Sequence, residues 1–252
     1  RARIGDPALA ARLRRELEGE VLFDPASRGR YSTDASIYQI EPIGVVVART
    51  GQDVVRAIAI AREEGVPVLP RGGGTSQIGQ TVGHALVIDT SKYLHQVLAL
   101  DTAQRRVTVQ PGLVLDQLNR RLKRDGLFFP VDVSTANRAT LGGMAGNNSC
   151  GSRSIRYGNM VHNVRAIEAV LADGTIARFT DSADGPARYA ALAERLRAIG
   201  AREADEVERR FPKLLRRVGG YNLDELAKPA PNLARFLVGS EGTLAFFTSL
   251  EL

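Results

Sequence analysis

The residues best suited to chemistry stand together at Pro70-Arg71-Gly72-Gly73-Gly74-Thr75-Ser76-Gln77-Ile78-Gly79-Gln80-Thr81. Three consecutive glycines leave no side chain between a ligand and the backbone. They also permit positive φ, so successive amides can converge on one anion. Thr75, Ser76 and Gln77 add side-chain donors, and Arg71 adds a cation. Such a loop suits a phosphate or diphosphate. The plain alternative is a surface turn, but this loop lies between the apolar runs Val66–Leu69 and Ala85–Ile88, where a site is the more natural reading. Two familiar phosphate loops fail here. Gly74 and Gly79 have the outer P-loop spacing, but Gln80 stands where the lysine belongs. Gly72 and Gly74 begin a dinucleotide fingerprint, but Gln77 replaces its third glycine and no helix follows.

Two more stretches share that chemistry. Residues 127–160 are rich in glycine, asparagine, serine and threonine, yet open on Leu127-Phe128-Phe129. A segment this long without periodicity, pinned by apolar residues, reads as functional rather than as a connector. Gly239-Ser240-Glu241-Gly242-Thr243 is the third glycine-rich turn. His84, His95 and His162 lack metal-site spacing, and only His162 lies near a glycine-rich region. Cys150 has no basic neighbour in sequence and reads as a small packed residue rather than a nucleophile. No G-x-S-x-G elbow is present. These segments offer backbone donors, hydroxyls and amides but no placed general base, so they suit a large polar cofactor that brings its own chemistry.

The elements that must position these turns are legible in part. Asp6-Pro7 opens a helix through Leu9, Leu13 and Leu17, and residues 24–42 form a polar excursion. Val45–Ala48 is a buried strand, and Thr50 with Asp53 forms a capping box for a helix ending at Gly65. With Val66–Leu69 this strand–helix–strand unit predicts a parallel pair with a right-handed crossover. The glycine loop follows at the carboxyl end of the second strand. Strands are expected at 85–89, 96–100 and 105–109, then a helix from Val114 to Leu122 closed by Gly126. Asp173-Gly174 joins strands 164–171 and 174–179 as a hairpin. Helices follow near 186–199, 201–211 and 232–238, and a strand near 244–252.

At 252 residues, with 44% hydrophobic and 25% charged residues, the chain can bury a full core as one large domain or two lobes. No apolar run is long enough for a membrane span and no signal peptide opens it, so a cytoplasmic location is expected. One cysteine excludes an internal disulfide or a four-cysteine metal site within these residues. The net charge of +6 is carried mostly by arginines interleaved with glutamates, as in Glu208-Arg209-Arg210. That pattern favours solvated helix faces over a nucleic-acid surface, with part of the excess free to face an anionic cofactor.

Pro70–Thr81, Thr108–Gly112, Thr140–Met144, Asn147–Gly151, Arg156–Gly158, Val170–Gly174 and Gly239–Thr243, in that order, resemble the FAD-binding (PCMH-type) domain of the vanillyl-alcohol-oxidase family. Within it the chain looks most like the D-lactate, glycolate and D-2-hydroxyglutarate dehydrogenases, in particular the long bacterial forms with an iron–sulfur segment. The resemblance implies an α+β fold of two lobes. A small parallel βαβ lobe (41–100) would follow an N-terminal helix and lead-in (1–40). A larger lobe (101–252) would hold a mixed or antiparallel sheet flanked by helices. FAD would lie between the lobes, held noncovalently, since no histidine stands in Arg71–Gln80. By motif, Arg71, Gly72, Gly73, Gly74, Thr75, Ser76 and Gln77 would cradle the diphosphate, with Gly79 and Gln80 in the same channel. Pro130, Asp132 and Ser134 would lie along the cofactor. Thr140, Gly142, Gly143, Asn147, Ser149 and Gly151 would approach the ribityl chain and flavin, and Glu241, Gly242 and Thr243 would close over it. The implied reaction is hydride transfer from a D-2-hydroxy acid to FAD. The substrate-binding cap, with its catalytic residues, is expected after residue 252, and an electron acceptor or iron–sulfur module further downstream. The rival readings are an accessory FAD-binding subunit without catalysis, a peptidoglycan-precursor reductase of the same fold, and a basic nucleic-acid-binding module.

Overall fold

In the computed structural model, which describes residues 3–182, 184–214 and 216–252, aspartate–proline pairs open the first two helices. Asp6 Oδ1 accepts from the amides of Ala8 and Leu9 at 2.9 and 3.1 Å, and Pro7 begins α1 (Pro7–Glu16). Asp24 repeats the device, accepting from Ser27 N at 2.9 Å to open α2 (Pro25–Tyr31). This helix lies inside the expected polar excursion. Its signal is the cap-plus-proline pair, not a hydrophobic period.

The first sheet has the order β1 (Glu20–Leu22), β2 (Gly44–Val47), β4 (Leu86–Asp89), β3 (Val68–Arg71). β2 and β3 both run parallel to β4, and β1 is antiparallel to β2. The expected direct pairing of the two strands around the crossover helix is therefore corrected: β4 inserts between them. Burial explains the order. Every residue of β2 and β4 is buried, so these strands take central places, whereas β3 is half-buried throughout. β3 also contains Pro70, which has no N–H to give a second neighbour and suits an edge. The crossover helix α3 (Gly51–Glu63) starts with the expected capping box: Asp53 N donates to Thr50 Oγ1 at 3.1 Å, and Thr50 N to Asp53 Oδ2 at 3.2 Å.

The second sheet is antiparallel, in the order β5 (Val97–Asp101), β6 (Arg106–Val109), β9 (Phe246–Glu251), β7 (Ala166–Val170), β8 (Ile176–Phe179). Gly174, at φ +89°, makes the β7–β8 turn. The late strand β9 lies in the middle, with Leu250 opposite both Val109 and Ile167. Helix α4 (Leu115–Leu122) packs Leu115, Leu118 and Leu122 into the core. The long aperiodic stretch contains short helices α5 (Leu141–Gly146), α6 (Ser154–Tyr157) and α7 (Met160–Asn163). Helices α8 (Ala187–Arg202), α9 (Ala204–Arg210), α10 (Leu223–Leu226) and α11 (Leu233–Leu237) follow. Tyr189 of α8 meets Phe179 of β8 edge-on at 5.0 Å.

Each sheet has its own apolar cluster, one around Leu13, Ile60 and Leu86, the other around Leu118, Leu141 and Ile167. Val170 and Phe246 belong to the second sheet but are buried in the first cluster. The two halves thus share a seam of core, and the glycine-rich turns gather along it.

Candidate functional site

Strand β3 delivers the triple glycine to one wall of a cleft of about 440 Å³, within the range of small-molecule and cofactor sites. The opposite wall is Thr140–Cys150, and the 239–243 turn forms the rim. The three turns converge because glycines let them touch. A Cβ on Gly72 would lie 2.2 Å from Thr140 Oγ1, and one on Gly73 would lie 2.3 Å from the carbonyl oxygen of Arg138. Gly242, at φ +79°, would bring a Cβ within 2.8 Å of Pro70. These glycines therefore serve contact between chain segments as well as access for a ligand.

Among the described residues, the amides of 72–77 donate no hydrogen bond within the chain. The only bond of this stretch's backbone is from Ala35 N to the carbonyl of Gly74, at 3.1 Å. Unpaired amides at a cleft wall are donors awaiting an acceptor. Arg71 lines the cleft and is also engaged by the chain itself. Its guanidinium donates to the Thr81 and Thr33 carbonyls at 2.9 and 2.8 Å and lies over the Tyr31 ring. These bonds brace the loop. Burial pushes its pKa down, and Asp89 and Asp34 push back. Burial, then the Asp89 carboxylate, pushes the neighbouring Tyr31 phenol above its ordinary range; Tyr31 donates to Asp89 Oδ2 at 2.6 Å.

Ser76 Oγ donates to Gln80 Oε1, and Gln80 Nε2 donates to Glu241 Oε1 at 2.9 Å. This relay ties the glycine loop to the 239–243 turn. That turn is fixed to α5, with Gly239 N bonded to the Ala145 carbonyl at 2.9 Å and Glu241 N to that of Gly146 at 3.0 Å. On the far wall Thr140 caps α5 by accepting from Gly143 N at 3.4 Å, and Gly142 N donates to the Pro111 carbonyl at 2.8 Å. Asn147 Nδ2 donates to Ser149 Oγ at 3.1 Å. Buried Asn148, at φ +51°, accepts from Val161 N through Oδ1 and ties the turn that leaves α5 to α7.

Arg71 to Gln77, Gln80, Ser134, Thr140, Gly142, Gly143, Asn147, Ser149, Glu241 and Gly242 line the cleft. Gly79, Pro130, Asp132, Gly151 and Thr243 are not among the lining residues. Gly79 is glycine because Tyr38 covers it, 2.6 Å from where a Cβ would lie. Asp132 accepts from Ser152 Oγ at 2.8 Å and Arg153 N at 3.1 Å, and a Cβ on Gly151 would strike its carboxylate. Pro130 sits between the buried Phe129 and Val131. Thr243 Oγ1 donates to the Ser240 carbonyl and meets Tyr221 Oη at 2.9 Å. His162 is likewise outside; it accepts from Asn159 N at 3.0 Å as a helix cap.

The apolar floor of the cleft, which includes Val133, Met144, Phe246 and Phe247, carries no local signal of its role. Those residues look like ordinary core in one dimension, and only the fold brings them under the polar turns. Cys150 also lines the cleft, as a free thiol. Among the described residues, Arg71 and Glu241 are the only charged ones lining it, so most of the chain's arginines lie elsewhere. Among the described residues no cluster of His, Cys, Asp and Glu could hold a metal, and no helix is long and apolar enough to cross a membrane.

A family model described as "FAD binding domain" matches residues 42–180. The chain is 35% identical over 252 residues to a D-2-hydroxyglutarate dehydrogenase of Haemophilus influenzae, spanning 93% of this chain but 24% of that one. It is 32% identical over 240 residues to the glycolate oxidase subunit GlcD of Bacillus subtilis, across 92% of this chain and 42% of the relative. The chain thus spans about a quarter of the length of the dehydrogenase and under half of the oxidase subunit. Among solved structures, an alkyldihydroxyacetonephosphate synthase shares the α+β fold at a TM-score of 0.69 and 17% identity, over 98% of this chain and 38% of that one. The cleft fits FAD: free amides suit a diphosphate, hydroxyls and amides suit a polyol, and the apolar floor suits a flat ring. With the family model covering more than half of its 252 residues, the chain belongs to the FAD binding domain family.

Proposed function

We propose that this chain is the FAD-binding part of a flavoenzyme that oxidises a D-2-hydroxy acid of the D-lactate, glycolate or D-2-hydroxyglutarate class. The observation that carries this reading is the convergence of three glycine-rich turns on one cleft whose loop amides, residues 72–77, have no partner within the described chain. The names of the relatives support the substrate class. In this reading the 72–77 amides take the diphosphate, Thr140, Asn147 and Ser149 take the polyol side, and the apolar floor takes the ring. Pro130, Asp132 and Gly151 act from behind, shaping the wall that Ser134 and Ser149 present. FAD, when bound, supplies the two-electron acceptor for the substrate's hydride. In this reading it is held noncovalently, as no histidine stands in Arg71–Gln80. The residues from about 41 to 100 supply most of the first lobe, onto which α1 and β1 pack, and those from 101 onward supply the second. The substrate-binding cap belongs to further sequence, and electrons leave to a downstream acceptor, such as an iron–sulfur module, in the cytoplasm.

Purification with added FAD tests the reading. The chain should acquire the visible absorption bands of a bound flavin and retain them through gel filtration. A protein that remains colourless at saturating FAD would overturn it. D-lactate or D-2-hydroxyglutarate should not bleach the bound flavin at an enzymatic rate until the cap-bearing sequence is supplied.

A further inference from the structure

The polar excursion contains a small loop, residues 33–39, closed by a bridge between Thr33 and Gln39 and largely exposed. Such a segment buries little apolar surface to offset the entropy lost in ordering it. Its hydrogen bonds have one destination. Among the described residues, every bond that 33–39 makes beyond residues 32–40 goes to the glycine-rich loop 71–81.

The contacts fall on the loop's entry, middle and exit. At the entry, Arg71 donates to the Thr33 carbonyl at 2.8 Å. At the exit, Thr81 Oγ1 donates to Asp34 Oδ2 at 2.9 Å, and Arg71 ties the two ends by donating to the Thr81 carbonyl at 2.9 Å. Between them, Ala35 N donates to the Gly74 carbonyl at 3.1 Å, and Tyr38 covers Gly79. In a trans peptide a carbonyl and the following N–H point in opposite directions. The Ala35 bond therefore turns the Thr75 N–H away from 33–39, to the side where it has no partner within the described chain. Asp34 links these contacts. Its other oxygen accepts from Ser36 N at 2.8 Å, which sets the turn, and its charge attracts the Arg71 guanidinium.

Resting on the FAD reading above, we infer that residues 33–39 are a clasp that preorganises the 72–77 amides for an anionic ligand, with Asp34 as its positioning residue. Three consecutive glycines open many backbone shapes to the loop, and few of them leave neighbouring amides free together. A ligand that needs one shape binds more weakly in proportion to the fraction of molecules holding it. The clasp raises that fraction without touching the ligand, since none of residues 33–39 lines the cleft. Coupling of this kind is reciprocal, so an occupied loop must also tighten the clasp.

The test sets FAD affinity, read by flavin fluorescence, beside the thermal midpoint of the purified chain and its variants. Asp34→Ala should weaken FAD roughly threefold to thirtyfold while leaving the midpoint nearly unchanged. Asp34→Asn, whose amide can still bond Ser36 N and Thr81 Oγ1, should recover most of the affinity. In the wild type, FAD should slow hydrogen exchange at the Ala35 amide, although that residue lies outside the cleft. The inference is overturned by unchanged affinity in Asp34→Ala, or by a loss that Asp34→Asn does not recover. Ala35 exchange that ignores bound FAD overturns it too, and this measurement needs no variant, so it decides the matter even if Asp34→Ala does not fold. Wild-type protein that binds no FAD would instead defeat the cofactor reading itself.

Discussion

A methyl group on Gly73 would sit 2.3 Å from the Arg138 carbonyl, and one on Gly72 would sit 2.2 Å from the Thr140 hydroxyl. Neither backbone position can yield without moving a wall of the cleft. Gly73→Ala should therefore destabilise the protein by about 1–3 kcal/mol, as overpacking does. It should also weaken FAD binding. Gly51→Ala, at the first turn of α3 with nothing within 4 Å of the new atom, should leave both unchanged or raise stability slightly. Thermal midpoints and FAD titrations of the two variants check this. The sequence located these glycines but assigned them one purpose, ligand access. The second purpose, contact between distant segments, depends on Arg138 and Thr140 arriving opposite, which no local pattern encodes. Arg71 is a similar case: its type suggested a ligand cation, and its carbonyl partners at Thr33 and Thr81 came from tertiary structure.

The helices that carry their own instructions were legible. α3 could be read from Thr50 and Asp53, and α1 from Asp6-Pro7, because capping is a local hydrogen-bond demand. α5, α6 and α7 were not legible, because at four to six residues they are too short to show a period. Strand order was also hidden, since β4 and β3 differ in place through burial rather than composition. One interface between elements yields a pH prediction. Arg12 bonds Glu64, Glu63 and Glu16, while Arg3 bonds Glu64, joining α1 to the end of α3. Bonds from Arg12 and then Arg3 hold the Glu64 carboxyl below its ordinary 4.5. A depressed carboxyl stabilises the fold above that value and loses the contribution as pH falls through the lower folded one. The thermal midpoint should therefore drop on acidification below pH 4.5, and Glu64→Gln should drop less over the same range. High salt should reduce the difference between the two proteins, as these side chains are partly exposed. Identical acid profiles would remove Glu64 from the account.

At the scale of the molecule, the two sheets already share core through Val170 and Phe246. The relay from Ser76 to Glu241 also spans their turns. The cleft is thus formed before a ligand arrives, and binding should stiffen both walls instead of pulling them together. FAD at about a hundred times its Kd should add about 2.7 kcal/mol of stability, or roughly 5–10 °C in Tm for a chain of this size. Hydrogen exchange tells where that stability acts. The amides of 72–77, unbonded within the described chain, should exchange fast without FAD and slow by the largest factor with it. The amides of 147–149, bonded to the carbonyls of 143–145, and those of Gly239 and Glu241, bonded to the Ala145 and Gly146 carbonyls, should slow as well but from a protected baseline. Slowing confined to 72–77 would mean a ligand resting on the first sheet's loop alone. Slowing on both sides requires one ligand long enough to touch two lobes, which is the property that separates a dinucleotide from a simple phosphate.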